Sequence, residues 1–145
     1  MAHRSLEFVV LVVALLASSC TRETSMSKED LDRRYRAALS RQQAMNRATW
    51  TRLQELGVTE PTELTLDFFY LAQNEAKARA LEQTLAKETD YSITVGTEDG
   101  GGWIVDGSTR PTAVTLEILD QWVDWMITAG LHHDCDFDGW GSEVR

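Results

Sequence analysis

The sequence predicts an α+β domain with the order strand, helix, strand, strand, helix, strand, behind an additional N-terminal helix. Three observations carry this expectation. Apolar residues alternate with period two over Leu64–Leu71, Tyr91–Val95 and Trp103–Val105. They recur at steps of three and four over Leu31–Leu56, Ala78–Leu85 and Leu116–Met126. Cap and breaker residues stand at the joins between these segments.

Ser27 is placed to cap the first helix, with Glu29, Asp30 and Asp32 at the positive end of its dipole. Its stripe is Leu31, Tyr35, Ala38, Gln42, Met45, Thr49, Leu53 and Leu56, and Gly57 is placed to end it. The stripe is apolar only at its ends, which predicts a partly solvated helix packing its last two turns on the domain. The alternative is a basic helix lying on anionic lipid headgroups or on its own acidic domain.

Leu64, Leu66, Phe68 and Tyr70 alternate with Thr65, Asp67, Phe69 and Leu71, giving the first strand. Asn74 is placed to cap a helix running to about Lys87, with Ala78, Leu81 and Leu85 on one face. Tyr91, Ile93 and Val95 mark the second strand, and Thr97–Gly102 the hairpin loop after it. A third strand starts at Trp103 and ends before Pro111. Thr115 caps a helix carrying Leu116, Leu119, Val123 and Met126, which Gly130 is placed to terminate. Phe137–Val144 reads as the last strand. Two split units of this kind build an antiparallel sheet with both helices on one face, the ferredoxin-like plan. Phe68, Phe69, Tyr70 and Trp103 are expected to supply much of the buried area.

The chain has 145 residues, 43% hydrophobic and 26% charged, a globular composition rather than a disordered or fibrous one. Its formal net charge is −9, which repels phosphate backbones and argues against a nucleic-acid partner. The charge is segregated. Residues 22–52 carry eight basic and four acidic side chains, whereas residues 53–145 carry five and 18.

The apolar run Phe8–Ala17 is 10 residues long, half of the roughly 20 that a spanning helix needs. It follows Arg4 and leads through Ala17, Ser18 and Ser19 to Cys20, a pattern that resembles a bacterial lipobox. In that pattern a lipid joins the Cys20 thiol and the chain is cut before it. Thr21, rather than Asp, follows the cysteine, which by the sorting pattern of Gram-negative lipoproteins implies the outer membrane rather than the inner. The expected organisation is a signal peptide over 1–19, a basic linker and helix over 20–57, and the folded domain over 58–145. Cys135 is then left unpaired in an oxidising compartment.

Three constellations invite a chemical reading. Asp134, Asp136 and Asp138 before Gly139 match the opening of a calcium loop, but Arg145 stands where that loop needs Glu. His132, His133 and Cys135 suggest zinc, yet neighbouring strand residues point to opposite faces, so a solvated connector is the better reading. No nucleophile elbow or phosphate loop is found. The expectation is no enzyme, no metal and no cofactor. Glu117, Asp120 and Asp124 form an acidic stripe on the last helix, either a solvated face or a docking surface for a basic protein. Asp138, Gly139, Trp140 and Gly141 suggest a turn or bulge carrying a tryptophan, which is either a structural anchor or a binding hot spot.

The ending Cys135–Val144 (CDFDGWGSEV) is similar to the YDGWG ending of the ribonuclease E inhibitor RraB family. DFFYLA at the first strand, Trp103 and Val105 at the third, and the helix before the last strand fall in the same order over about residues 45–145. The resemblance implies a ferredoxin-like sandwich without catalytic chemistry that works by binding protein. The founding member binds the degradosome endonuclease in the cytoplasm and lowers its activity. With an export signal in front, the expectation here is a membrane-anchored lipoprotein that binds or regulates a protein of unknown identity. The alternative is a cytoplasmic regulator of ribonuclease E acting by direct binding.

Overall fold

The computed structural model describes residues 25–144. Among them are α1 (Lys28–Glu55), β1 (Glu63–Leu64), β2 (Asp67–Ala72), α2 (Glu75–Glu88) and β3 (Ser92–Thr97), followed by β4 (Trp103–Ser108), β5 (Thr112–Ala113), α3 (Leu116–His132) and β6 (Asp136–Gly141). The class is α+β, as expected. The three cap residues do what their chemistry suggests. Ser27, Asn74 and Thr115 each accept a bond from the backbone N–H three residues on, at Asp30, Lys77 and Ile118.

The main sheet has the order β3-β4-β2-β6 with every neighbouring pair antiparallel. The expected first strand is divided. Its start, β1, pairs with β5 in a two-stranded sheet, and its end, β2, lies at the centre of the main sheet. Leu66, between them, exchanges two bonds with Thr109: its N–H reaches Thr109 Oγ1 at 3.0 Å, and its carbonyl accepts from the Thr109 N–H at 2.9 Å. The hairpin loop forms as expected, with Gly100 and Gly101 at φ +104° and +101°, conformations that suit glycine.

Alternation along β2 sends Phe68, Tyr70 and Ala72 into the core with Val105 and Phe137. Ala78, Leu81 and Leu85 of α2 and Val123, Met126 and Ile127 of α3 cover them. Phe69 was expected in this core, but it is 43% exposed, because the same period of two turns it to the opposite face. A second cluster joins Trp50, Leu53, Val58, Leu64, Leu66, Val114 and Leu119.

Two helix readings need correction. α1 packs along its length, not only by its last two turns. Leu31, Tyr35, Ala38 and Leu39 lie on the main core, and Gln42, Asn46, Trp50 and Leu53 are buried. Met45 and Leu56 are exposed, so the buried stripe passes through Asn46 and Trp50 instead. Gly130 does not end α3, which continues to His132. A Cβ at Gly130 meets Tyr70 Cε1 at 2.7 Å and the Cys135 carbonyl oxygen at 2.9 Å. The glycine is there to let the helix meet the buried tyrosine, whose hydroxyl donates to the Met126 carbonyl at 2.7 Å.

Gly130→Ala is therefore expected to lower stability by about 1–3 kcal/mol through overpacking. Urea unfolding followed by tryptophan fluorescence checks this, and a loss below a few tenths contradicts it.

Candidate functional site

Of the polar side chains that sequence motifs singled out, Asp120, Asp124, Asp134, Asp136 and Trp140 meet α1 or its partners where that helix crosses α3 and reaches β6. β6 carries a bulge: Phe69 pairs with Gly139 but Tyr70 with Phe137, so Asp138 is the extra residue. Gly139 sits at φ +146°, outside the range that a side chain tolerates easily, which accounts for the glycine in the tetrad. Asp138 is exposed and Gly141 has open space around it.

Trp140 is half-buried and hydrogen-bonded. Its Nε1–H donates to Asn46 Oδ1 at 2.7 Å, and Asn46 Nδ2 donates to Asp120 Oδ1 at 2.8 Å. The indole meets Trp122 edge-on at 6.2 Å, and Trp122 in turn meets Phe137 at 6.1 Å. Trp122 Nε1–H donates to the Tyr91 hydroxyl, while Trp125 faces outward. Of the acidic stripe, Asp120 is taken by Asn46 and Asp124 accepts from the Tyr35 hydroxyl at 2.7 Å. Only Glu117 is fully on the surface, where Gln121 donates to it. The stripe lies toward α1 and two of its three members hold that helix.

A second cluster fixes the other end of α1. Arg34 donates to Asp134 at 2.6 Å and to Asp136 at 2.7 Å, and Lys77 of α2 reaches Asp134 at 2.6 Å. Two carboxylates of the calcium-like run, Asp134 and Asp136, are thus partnered by cations from two helices. Asp134 stands at φ +53°, a conformation that Asp and Asn tolerate better than most residues. Hydrogen bonds from Arg34 and then Lys77 hold its carboxyl below the usual range.

The segment after α3 is not the solvated connector that was expected. His133 caps α3 and its Nε2 lies 2.7 Å from Thr84 Oγ1. Burial, then the neighbouring His132, lowers its pKa. Cys135 is fully buried and free of any disulfide, and burial, followed by the charges of Asp134 and Asp136, pushes its thiol up to about 11. A thiol held protonated in this way is a poor nucleophile. Cys20 lies outside the described residues. No helix among those residues is long and apolar enough to cross a membrane, and none of their His, Cys, Asp and Glu side chains cluster in a way that would hold a metal.

Sequence reasoning missed Arg34 and Asn46. Arg34 carried no local signal, because its partners lie about 100 residues away. Asn46 was legible in principle, since Leu39, Gln42, Asn46, Trp50 and Leu53 repeat at steps of three and four.

This is a small α+β domain whose polar groups tie one long helix to a sheet. The family model described as regulator of ribonuclease activity B, RraB, matches residues 43–142, and the chain belongs to that family. The match opens within α1 and includes Asn46, Asp120 and Trp140. No curated protein matches the chain.

Asp134 gives a pH signature. Its folded pKa is depressed, so its contribution is present above the unfolded value of about 4 and is lost as pH falls through the folded value. His133, whose charged form burial disfavours, acts in the same direction at higher pH. Asp134→Asn keeps the tolerance for positive φ and removes the charge. Its stability, measured by urea unfolding from about pH 6 to 2, is expected to fall less steeply than that of the parent. Parallel curves contradict the clamp.

Proposed function

We propose that this chain is a non-enzymatic RraB-like regulator that acts by binding another protein and is held at the cell envelope by a lipid on Cys20. The observation that carries the binding role is the RraB match over residues 43–142. The chemistry of the described residues supports it. The Cys135 thiol is buried and protonated, His133 is engaged with Thr84, and Asp134 is neutralised by Arg34 and Lys77. The net charge of −9 speaks against nucleic acid as the direct partner.

The strand order β3-β4-β2-β6, with α2 between β2 and β3 and α3 between β4 and β6, supports a ferredoxin-like reading of the main sheet. The anchoring rests on the run Phe8–Ala17 and the small residues before Cys20. On this reading 1–19 is a removed signal, 20–57 a basic linker and helix leading from the membrane, and 58–145 the domain on which that helix rests. Several acyl chains on one cysteine make a stable anchor, since each buried methylene contributes ~0.8 kcal/mol. Thr21 favours the outer membrane. A second reading is a cytoplasmic regulator of ribonuclease E acting by direct binding; the family's description as a regulator of ribonuclease activity supports the regulatory role in it.

The two readings part on the state of the N-terminus. Expressed as the full chain, the protein is expected in the membrane fraction, beginning at Cys20 and carrying the added mass of acyl chains. Cys20→Ser is expected to lose that mass and accumulate uncut. Soluble protein with Met1 intact, co-purifying with a ribonuclease, supports the cytoplasmic reading and contradicts the anchor.

A further inference from the structure

Among the described residues, the four-stranded sheet has one face covered by helices and one without. On the open face, alternation sets Phe69 and Leu71 outward from β2, 43% and 38% exposed. Register sets Ile104 beside Leu71 and Asp106 beside Phe69. These three apolar side chains make a central ridge. On one flank β3 offers only Ser92, Thr94 and Gly96, and on the other Phe69 pairs with Gly139 and Leu71 with Asp136. Within the strands of this sheet the charge has one sign. The four described strands contain Asp67, Asp106, Asp136 and Asp138 and no Lys, Arg or His. Arg34 meets Asp136 from α1, at the sheet's edge, and Asp67 accepts from Ser108. Beyond Asp67 the face continues into a groove lined by Glu63, Leu64, Glu143 and Val144.

We propose that this open face is the surface on which the domain receives its partner, and that the partner offers a cationic segment carrying an apolar side chain. This rests on the protein-binding reading above. An apolar centre with a charged rim is the anatomy of a protein interface. Carboxylates around it attract Lys and Arg and speed encounter with a basic surface. The same carboxylates oppose the other occupants. An exposed aromatic on a sheet is a stacking platform for nucleic acid only where cations track the phosphates, and here there are carboxylates instead. Anionic lipid is repelled for the same reason. A second copy brings an identical acidic face, and two-fold pairing sets like charges together.

The test places a photoreactive benzophenone side chain at position 69 of the full chain in living cells, and in a separate strain at position 125 on α3. Crosslinked peptides are identified by mass spectrometry. Position 69 is expected to capture a segment of another protein in which Lys or Arg adjoins an apolar residue. Asp106→Lys in that background is expected to reduce the yield by about fivefold or more, with Asp106→Asn intermediate. Thermal melting of each variant checks that it is folded, which the half-open position of Asp106 permits. Capture of a second copy, lipid, RNA or an uncharged or acidic segment overturns the proposal, as does a yield that Asp106→Lys and Asp106→Asn leave unchanged. Capture at 125 with silence at 69 overturns this surface while keeping the binding role. Silence at both positions removes both.

Discussion

Two buried amides decide where the first helix must lie. Gln42 and Asn46 are both inaccessible to solvent, and a buried amide without partners costs about 1–3 kcal/mol. Asn46 meets its need in two directions, accepting from Trp140 on β6 and donating to Asp120 on α3. Gln42 points its Nε2 at the Phe137 carbonyl on the outer edge of β6, a long contact at 3.5 Å. These two bonds register the helix against strand and helix together. Arg34 then secures the distal end with two carboxylates on the turn into β6.

This arrangement also settles what becomes of the sheet's edges and faces. An unprotected edge strand invites pairing with other chains. Gln42, Asn46 and Arg34 of α1 reach β6 at Phe137, Trp140 and Asp136, and the bulge at Asp138, which needs the positive φ of Gly139, interrupts its ladder. The tryptophan between the two glycines serves as an anchor for α1 while staying partly open. The family motif is thus explained by the contact that it makes with the helix. With α1 committed to α3 and β6, no helix among the described residues covers the far face of the sheet, and the proposed partner surface is the apolar ridge there.

The elements that follow local rules were legible in the sequence. Ser27, Asn74 and Thr115 cap helices because their oxygens match the first free N–H groups, a relation confined to four residues. The period-two strands and the triple-glycine hairpin are equally local. What escaped the sequence depends on distance along the chain. Gly130 looks like a helix terminator and is a packing notch for Tyr70, 60 residues earlier. Phe69 looks like core by composition and is surface by parity. The acidic stripe was visible, but the Asn46 and Tyr35 bonds that turn two of its members into fasteners arise only once α1 folds back. Arg34 was one basic residue among eight in its segment.

The central claim is that α1 is part of the cooperative fold, fastened by Asn46 and Arg34, rather than a solvated arm leading to it. Native-state hydrogen exchange of the full chain under low denaturant measures this directly. Amides of α1 from Gln42 to Leu53 are expected to exchange only with global unfolding, at the same free energy as those of β2. Exchange of that stretch through local opening, while β2 stays protected, contradicts the account.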